Sequence, residues 1–205
     1  VAFGTSASLA PVTVTEDLVP PAYEPFMRGL VDWGQDGTIA IVSQGRDTTT
    51  DPPPPNETRR VRVMLRGTVS ATAEVASATW PQEVGATRPA VLDDGTVAVG
   101  LGGSAGARML IRPPGPGSVF TPHPLPGDGV SSPGVDAAQS IHVMSAAAEP
   151  PDRRYWTSMK PAGGEFGTPM PIPLAGEGDP YVPFDSMKVA PDGTEYALIY
   201  ADDGV

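Results

Sequence analysis

Apolar positions along this 205-residue chain come in short runs, not at helical spacing. No stretch holds a helical apolar period for more than about two turns. Prolines interrupt nearly every window of 15 residues, and a proline inside a helix costs about 3 kcal/mol. Strand-like runs dominate instead: Thr38-Ile39-Ala40-Ile41-Val42, Val61-Arg62-Val63-Met64-Leu65, Thr96-Val97-Ala98-Val99, Ser140-Ile141-His142-Val143-Met144 and Thr194-Glu195-Tyr196-Ala197-Leu198-Ile199-Tyr200. Gly, Pro, Asp or Ser clusters bound most of them, which is how short strands between tight turns read. The pattern predicts an all-β chain.

The strands recur with turns in phase. Asp36-Gly37-Thr38, Asp94-Gly95-Thr96 and Asp192-Gly193-Thr194 each lead into an apolar strand. Between the last two, Val135-Asp136-Ala137-Ala138-Gln139-Ser140 does the same with the Gly replaced. Turn positions 37, 95, 139 and 193 are 58, 44 and 54 residues apart, and the first interval carries the insertion Thr48 to Thr58. Asp-Gly supplies the positive φ that a two-residue hairpin needs, so each unit holds an antiparallel meander of three or four strands. The outer segments align as well: Pro161 to Pro169 matches Pro114 to Pro122, Phe3-Gly4-Thr5 opens the chain at the same phase, and Thr79-Trp80-Pro81 is a degenerate copy.

On these residues, above all Pro161-Ala162-Gly163-Gly164-Glu165-Phe166-Gly167-Thr168-Pro169 and Lys188-Val189-Ala190-Pro191-Asp192-Gly193-Thr194, the chain resembles bacterial β-propeller repeat proteins of the secreted, high-GC type. The resemblance spans almost the whole chain and implies a single β-propeller over 1–205. Its blade repeats would run roughly 15–85, 86–125, 126–174 and 175–205, with an N-terminal outer strand at 1–14 that completes the last blade. Four blades are few for a closed ring, so these four are expected to belong to a larger ring or to be completed by another chain. A β-sandwich with similar turns is the alternative architecture. The resemblance implies no activity, because propellers carry many functions.

Composition narrows the function. Pro and Gly make up about a quarter of the chain, yet 40% of residues are hydrophobic and only 18% charged, which favours a folded, turn-rich chain over disorder. The net charge of −11 is spread over both halves and repels nucleic acid and anionic membrane surfaces. The absence of Cys excludes disulfides, thiolate metal sites and Cys nucleophiles. No apolar run reaches the roughly 18–20 residues that span a bilayer. The start, Val1-Ala2-Phe3-Gly4, has neither Met nor signal peptide and reads as a processed or partial chain. Eleven Arg against two Lys, with a single Asn, fit a high-GC bacterial or phage source.

Candidate chemistry is thin. His142 alternates with Ile141 and Val143 and points away from one buried face; His123 lies in an extended Pro-His-Pro segment. Neither has a carboxylate motif nearby, and both read as exposed or satisfied strand histidines. Gly102-Gly103-Ser104-Ala105-Gly106 lacks the spacing and following helix of a serine nucleophile elbow and reads as a hairpin loop. Asp93-Asp94-Gly95, Asp202-Asp203-Gly204 and Gly127-Asp128-Gly129 are the candidate calcium positions, though none makes a twelve-residue calcium loop. No other cofactor and no catalytic residue is expected. The polyproline insertion Pro52 to Pro55 reads as an exposed excursion.

By phase, loops entering the innermost strands put Tyr23, Glu24, Arg28, Arg88, Tyr181 and Asp185 at a common mouth. Arg side chains from separate blades there would grip a carboxylate in forked geometry. The expected function is a non-enzymatic binding or scaffold module of an extracellular, cell-surface or virion assembly, engaging a protein or glycan. The alternative is a sialidase-like glycoside hydrolase or lyase on the same mouth. The sialidase Ser-x-Asp-x-Gly-x-x-Trp box is not matched, since Asp and Gly are adjacent here, and a third channel Arg is missing.

Overall fold

The computed structural model describes residues 2–5, 8–13, 23–25, 30–35, 38–47, 58–67, 70–81, 85–103, 106–115, 117–147, 154–173, 179–181, 187–197 and 200–202. For 2–25, 58–81, 179–181 and 200–202, and for all of 41–47 except Val42, it describes the backbone alone. The insertion Pro52 to Pro55 lies outside these residues.

The fold is all-β, built from several antiparallel sheets, with no helix among the described residues. In chain order the strands are β1 (Ala2–Thr5), β2 (Ser8–Thr13), β3 (Tyr23–Pro25), β4 (Leu30–Trp33), β5 (Ile39–Asp47), β6 (Thr58–Gly67), β7 (Ser70–Pro81), β8 (Gly85–Ala86), β9 (Ala90–Val91), β10 (Val97–Gly102), β11 (Arg108–Arg112), β12 (Thr121–Pro124), β13 (Gly129–Val130), β14 (Gly134–Val135), β15 (Ile141–Ala147), β16 (Arg154–Lys160), β17 (Met170–Pro171), β18 (Asp179–Tyr181), β19 (Met187–Val189), β20 (Glu195–Ala197) and β21 (Tyr200–Asp202). The N-terminal stretch, read from the sequence as one outer strand, forms a separate β1–β2 hairpin.

Three sheets share one plan. Each is a four-stranded meander whose first strand is broken in two, so that both pieces pair with the second strand. The pieces are β3 and β4 on β5, β8 and β9 on β10, and β13 and β14 on β15. A fourth unit begins the same way, with β18 on β21 and β19 on β20.

In the second and third sheets and in the fourth unit, the turn between the first and second strands is held by the same pair of backbone bonds. Leu92 N–H donates to Thr96 and Gly95 N–H to Leu92; Asp136 N–H donates to Ser140 and Gln139 N–H to Asp136; Ala190 N–H donates to Thr194 and Gly193 N–H to Ala190. The fourth position of each turn is left-handed, with φ of 86° at Gly95, 62° at Gln139 and 84° at Gly193. Glycine takes that conformation at no steric cost, and Gln139 is the only non-glycine with positive φ among the described residues.

The sheets stack face to face in chain order. Ala40 and Val42 of the first pack with Val91, Val97, Val99, Leu101 and Leu110 of the second. The opposite face of the second sheet, Ala98, Met109 and Ile111, packs with Val130, Ile141 and Val143 of the third. Strand β10 is therefore buried at every residue, and its Val-Ala-Val-Gly-Leu-Gly sequence shows no polar alternation. Met144 and Tyr155 of the third sheet pack with Met187 of the fourth unit.

Candidate functional site

Three ionisable side chains converge at the seam between the third sheet and the β19–β20 hairpin. His142 lies in β15, directly opposite Gly134 on one side and Met159 on the other. Its face of the sheet is covered by the hairpin, leaving the residue 4% exposed. The ring sits between two carboxylates, with Nε2 3.1 Å from Asp136 Oδ2 and Nδ1 2.8 Å from Glu195 Oε1. Thr157 Oγ1 donates to the other oxygen of Glu195. The Ser140 N–H donates to Asp136 Oδ1 at 2.8 Å.

Local sequence explains each position. Turns 92–96 and 190–194 use an Asx bond, Thr96 N–H to Asp94 and Thr194 N–H to Asp192. In the third sheet Ala138 stands where that Asp would be, and Asp136 takes the bond from the turn's first position. That displacement brings its second oxygen to the imidazole. Gly193 in the next turn lies against the cluster: a Cβ there would stand 3.4 Å from Asp136 Oδ2 and 3.8 Å from His142 Cε1. Glu195 alternates onto the inner face of β20, while Tyr196 points outward, 61% exposed.

Burial works to raise the Asp136 pKa, but the Ser140 N–H and the His142 ring together outweigh it and hold the carboxyl below its ordinary value. The chain of groups runs hydroxyl, carboxylate, imidazole, carboxylate. A nucleophilic triad needs the hydroxyl on the imidazole, so Thr157, bound to Glu195, is not activated this way. What the cluster does is join two units through hydrogen bonds, His142 and Asp136 from the third sheet and Glu195 from the β19–β20 hairpin.

The first-strand breaks of the second and third sheets hold a second set of polar groups. Thr87 Oγ1 accepts from Gly100 N–H and Ser131 Oγ from Met144 N–H. Both hydroxyls bridge across to the second strand 13 residues on. Arg88 N–H donates to Ser132 Oγ across the seam at 3.3 Å. Between buried Thr87 and buried Pro89, Arg88 is exposed.

Of the residues the sequence assigns to a mouth, Arg88 lies at such a break, in the segment 87–89 between β8 and β9. Tyr23, Glu24 and Tyr181 lie on β3 and β18, with side chains outside the described residues. Arg28 and Asp185 lie outside the described residues altogether.

The reading of His142 as having no nearby carboxylate is corrected. The β14–β15 turn folds Asp136 back onto it, and β20 brings Glu195 from 53 residues away. His123 also has a carboxylate neighbour, Glu165 at 3.8 Å, with the Phe166 ring 5.6 Å away at a 58° tilt. Of the acidic turns, Asp94 is engaged by Thr96 N–H. No three His, Asp or Glu groups converge as metal ligands among the described residues. Compared with protein-family models the chain matches none, and no curated protein matches it.

Proposed function

We propose that this chain is a β-propeller module of an extracellular or cell-surface assembly, acting by binding a protein or glycan and not by turnover. The observation that carries the reading is the shared plan of consecutive sheets. Each meander breaks its first strand at the same phase and stacks face to face on the next, as blade repeats do. The breaks of the second and third sheets fall side by side, joined by Arg88 N–H to Ser132 Oγ, and so begin a row. Arg88 stands out of that row into solvent. In the proposed ring Tyr23, Glu24, Arg28, Tyr181 and Asp185 join it as the ligand face. A guanidinium there binds carboxylates bidentately.

The test uses the full chain and its Arg88→Glu variant on an array of sialylated and uronate-bearing glycans and acidic peptides, with products followed in the same wells. The expected result is retention of intact ligand by the parent chain and at least tenfold weaker retention by the variant. Equal retention by both overturns the assigned face. Release of cleaved sugar replaces the binding module with the sialidase-like alternative.

A further inference from the structure

We propose that the Asp136–His142–Glu195 cluster is a proton-operated latch: the β19–β20 hairpin docks on the third sheet while the His142 ring carries protons on both nitrogens, and loosens when the ring loses one. The latch rests on hydrogen-bond geometry. Ionised carboxylates only accept hydrogen bonds, and a neutral imidazole has one N–H and one bare lone pair. With a carboxylate oxygen on each side, at 3.1 and 2.8 Å, a neutral ring satisfies one and sets a lone pair against the other. Side-chain exposures are 5% for His142, 10% for Asp136 and 28% for Glu195, so solvent reaches the Glu195 side more than the Asp136 side, and a buried polar group without its bond is costly.

The groups facing the ring are few. Asp136 comes from its own turn, Glu195 from β20 and the Thr157 hydroxyl from β16. Gly193 covers the ring edge from the β19–β20 turn, where Asp192 is taken up by Thr194 N–H. No other charged side chain among the described residues bonds to the ring. The same hairpin rests on the sheet through Ala137 N–H to Pro191 O and through Val189 against Gly134, so loosening the latch exposes these contacts. The sign follows from linkage. The docked state offers the ring's two protons two acceptors, so docking is complete at pH below the ring's titration and is lost as pH rises through it. The acid limit is set by Asp136, whose carboxyl is held low.

Two measurements on the full chain test this. The ring protons of His142 are titrated by NMR, with His123→Gln used to assign the two histidines. Amide exchange of Ala137 is followed over the same pH range and corrected for the intrinsic pH dependence. The expected result is a loss of Ala137 protection of tenfold or more, with the midpoint of the His142 titration, while Ala107, which donates to Gly127 O between the second and third sheets, keeps its protection. His123→Gln leaves the step in place and His142→Gln abolishes it. Ala137 protection that stays flat through the ring's titration overturns the latch, and so does a step that survives in His142→Gln. If that variant does not fold, coincidence of the two midpoints in the parent chain decides alone.

Discussion

The two seams flanking the third sheet are built from opposite materials. Toward the second sheet, Leu92, Ala98, Met109, Ile111, Val130, Ile141 and Val143 form one apolar cluster, with Met109 and Val143 fully buried. Polar ties there are peripheral, such as Asp93 N–H to Gln139 Oε1. Toward the fourth unit the apolar cluster shrinks to Met144, Tyr155 and Met187, and the middle of the seam is a histidine between two carboxylates. Apolar burial is non-directional and indifferent to pH. A buried ion cluster fixes geometry, contributes little net stability against an apolar replacement, and responds to protons. One sheet thus has a permanent face and a conditional one.

The largest expected effect lies on the permanent face. Ile141 is 1% exposed inside the larger cluster. Ile141→Ala should cost about 2–5 kcal/mol, since the cavity opens between two sheets that cannot collapse independently. A lower urea midpoint with unchanged slope checks it. A cost under about 1 kcal/mol would mean that this seam is not close-packed.

On the conditional face the closest approach is steric. A Cβ on Gly134 would stand 2.4 Å from Val189 Cγ2. Gly134→Ala should therefore destabilise by about 1–3 kcal/mol. Adding Val189→Ala should return part of that loss, giving a coupling of about 1 kcal/mol in a double-mutant cycle. Additive costs would show that the hairpin does not rest there.

Acid separates the faces further. The Asp136 carboxyl is held below its ordinary value of 3.8 by Ser140 N–H and His142 against the opposing effect of burial. A depressed folded value contributes stability that is present above the unfolded value and lost as pH falls through the folded one. Stability should thus decline more gently below about pH 4 in Asp136→Asn than in the parent chain, as chemical denaturation at several pH values reads directly. Parallel acid limbs would remove Asp136 from the acid response.

The turns and second strands were legible in the sequence because their rules are local. Asp-Gly at 94–95 and 192–193 marks the left-handed position, and Gln139 fills the same position in the third sheet. The runs beginning at Ile39, Val97 and Ile141 each open a second strand. The break in each first strand was not legible. It depends on Thr87 and Ser131 turning their hydroxyls onto the next strand, and a lone Thr or Ser before an X-Pro pair carries no such signal. The histidine cluster was missed because Glu195 is 53 residues from His142 and Asp136 looks like an ordinary turn residue. A signal was present: an Asp at the turn's first position, where the other turns have Leu92 and Ala190, and a His two residues past its end.

The smallest expected effect is at Gln139, where two terms oppose. Its φ of 62° is one that glycine takes freely, so Gln139→Gly should relieve about 1 kcal/mol of backbone cost. The same change removes the amide oxygen that accepts from Asp93 N–H at 2.7 Å, a tie worth about 0.5–1.5 kcal/mol in an exposed setting. The net change should fall within about 0.5 kcal/mol of zero. Gln139→Ala separates the terms, because alanine keeps the strained backbone and loses the tie, and it should be destabilising by about 1 kcal/mol. If the Ala and Gly variants are equally stable, the left-handed turn relaxes without glycine, and the Asp-Gly signature at the other two turns reflects something other than backbone strain.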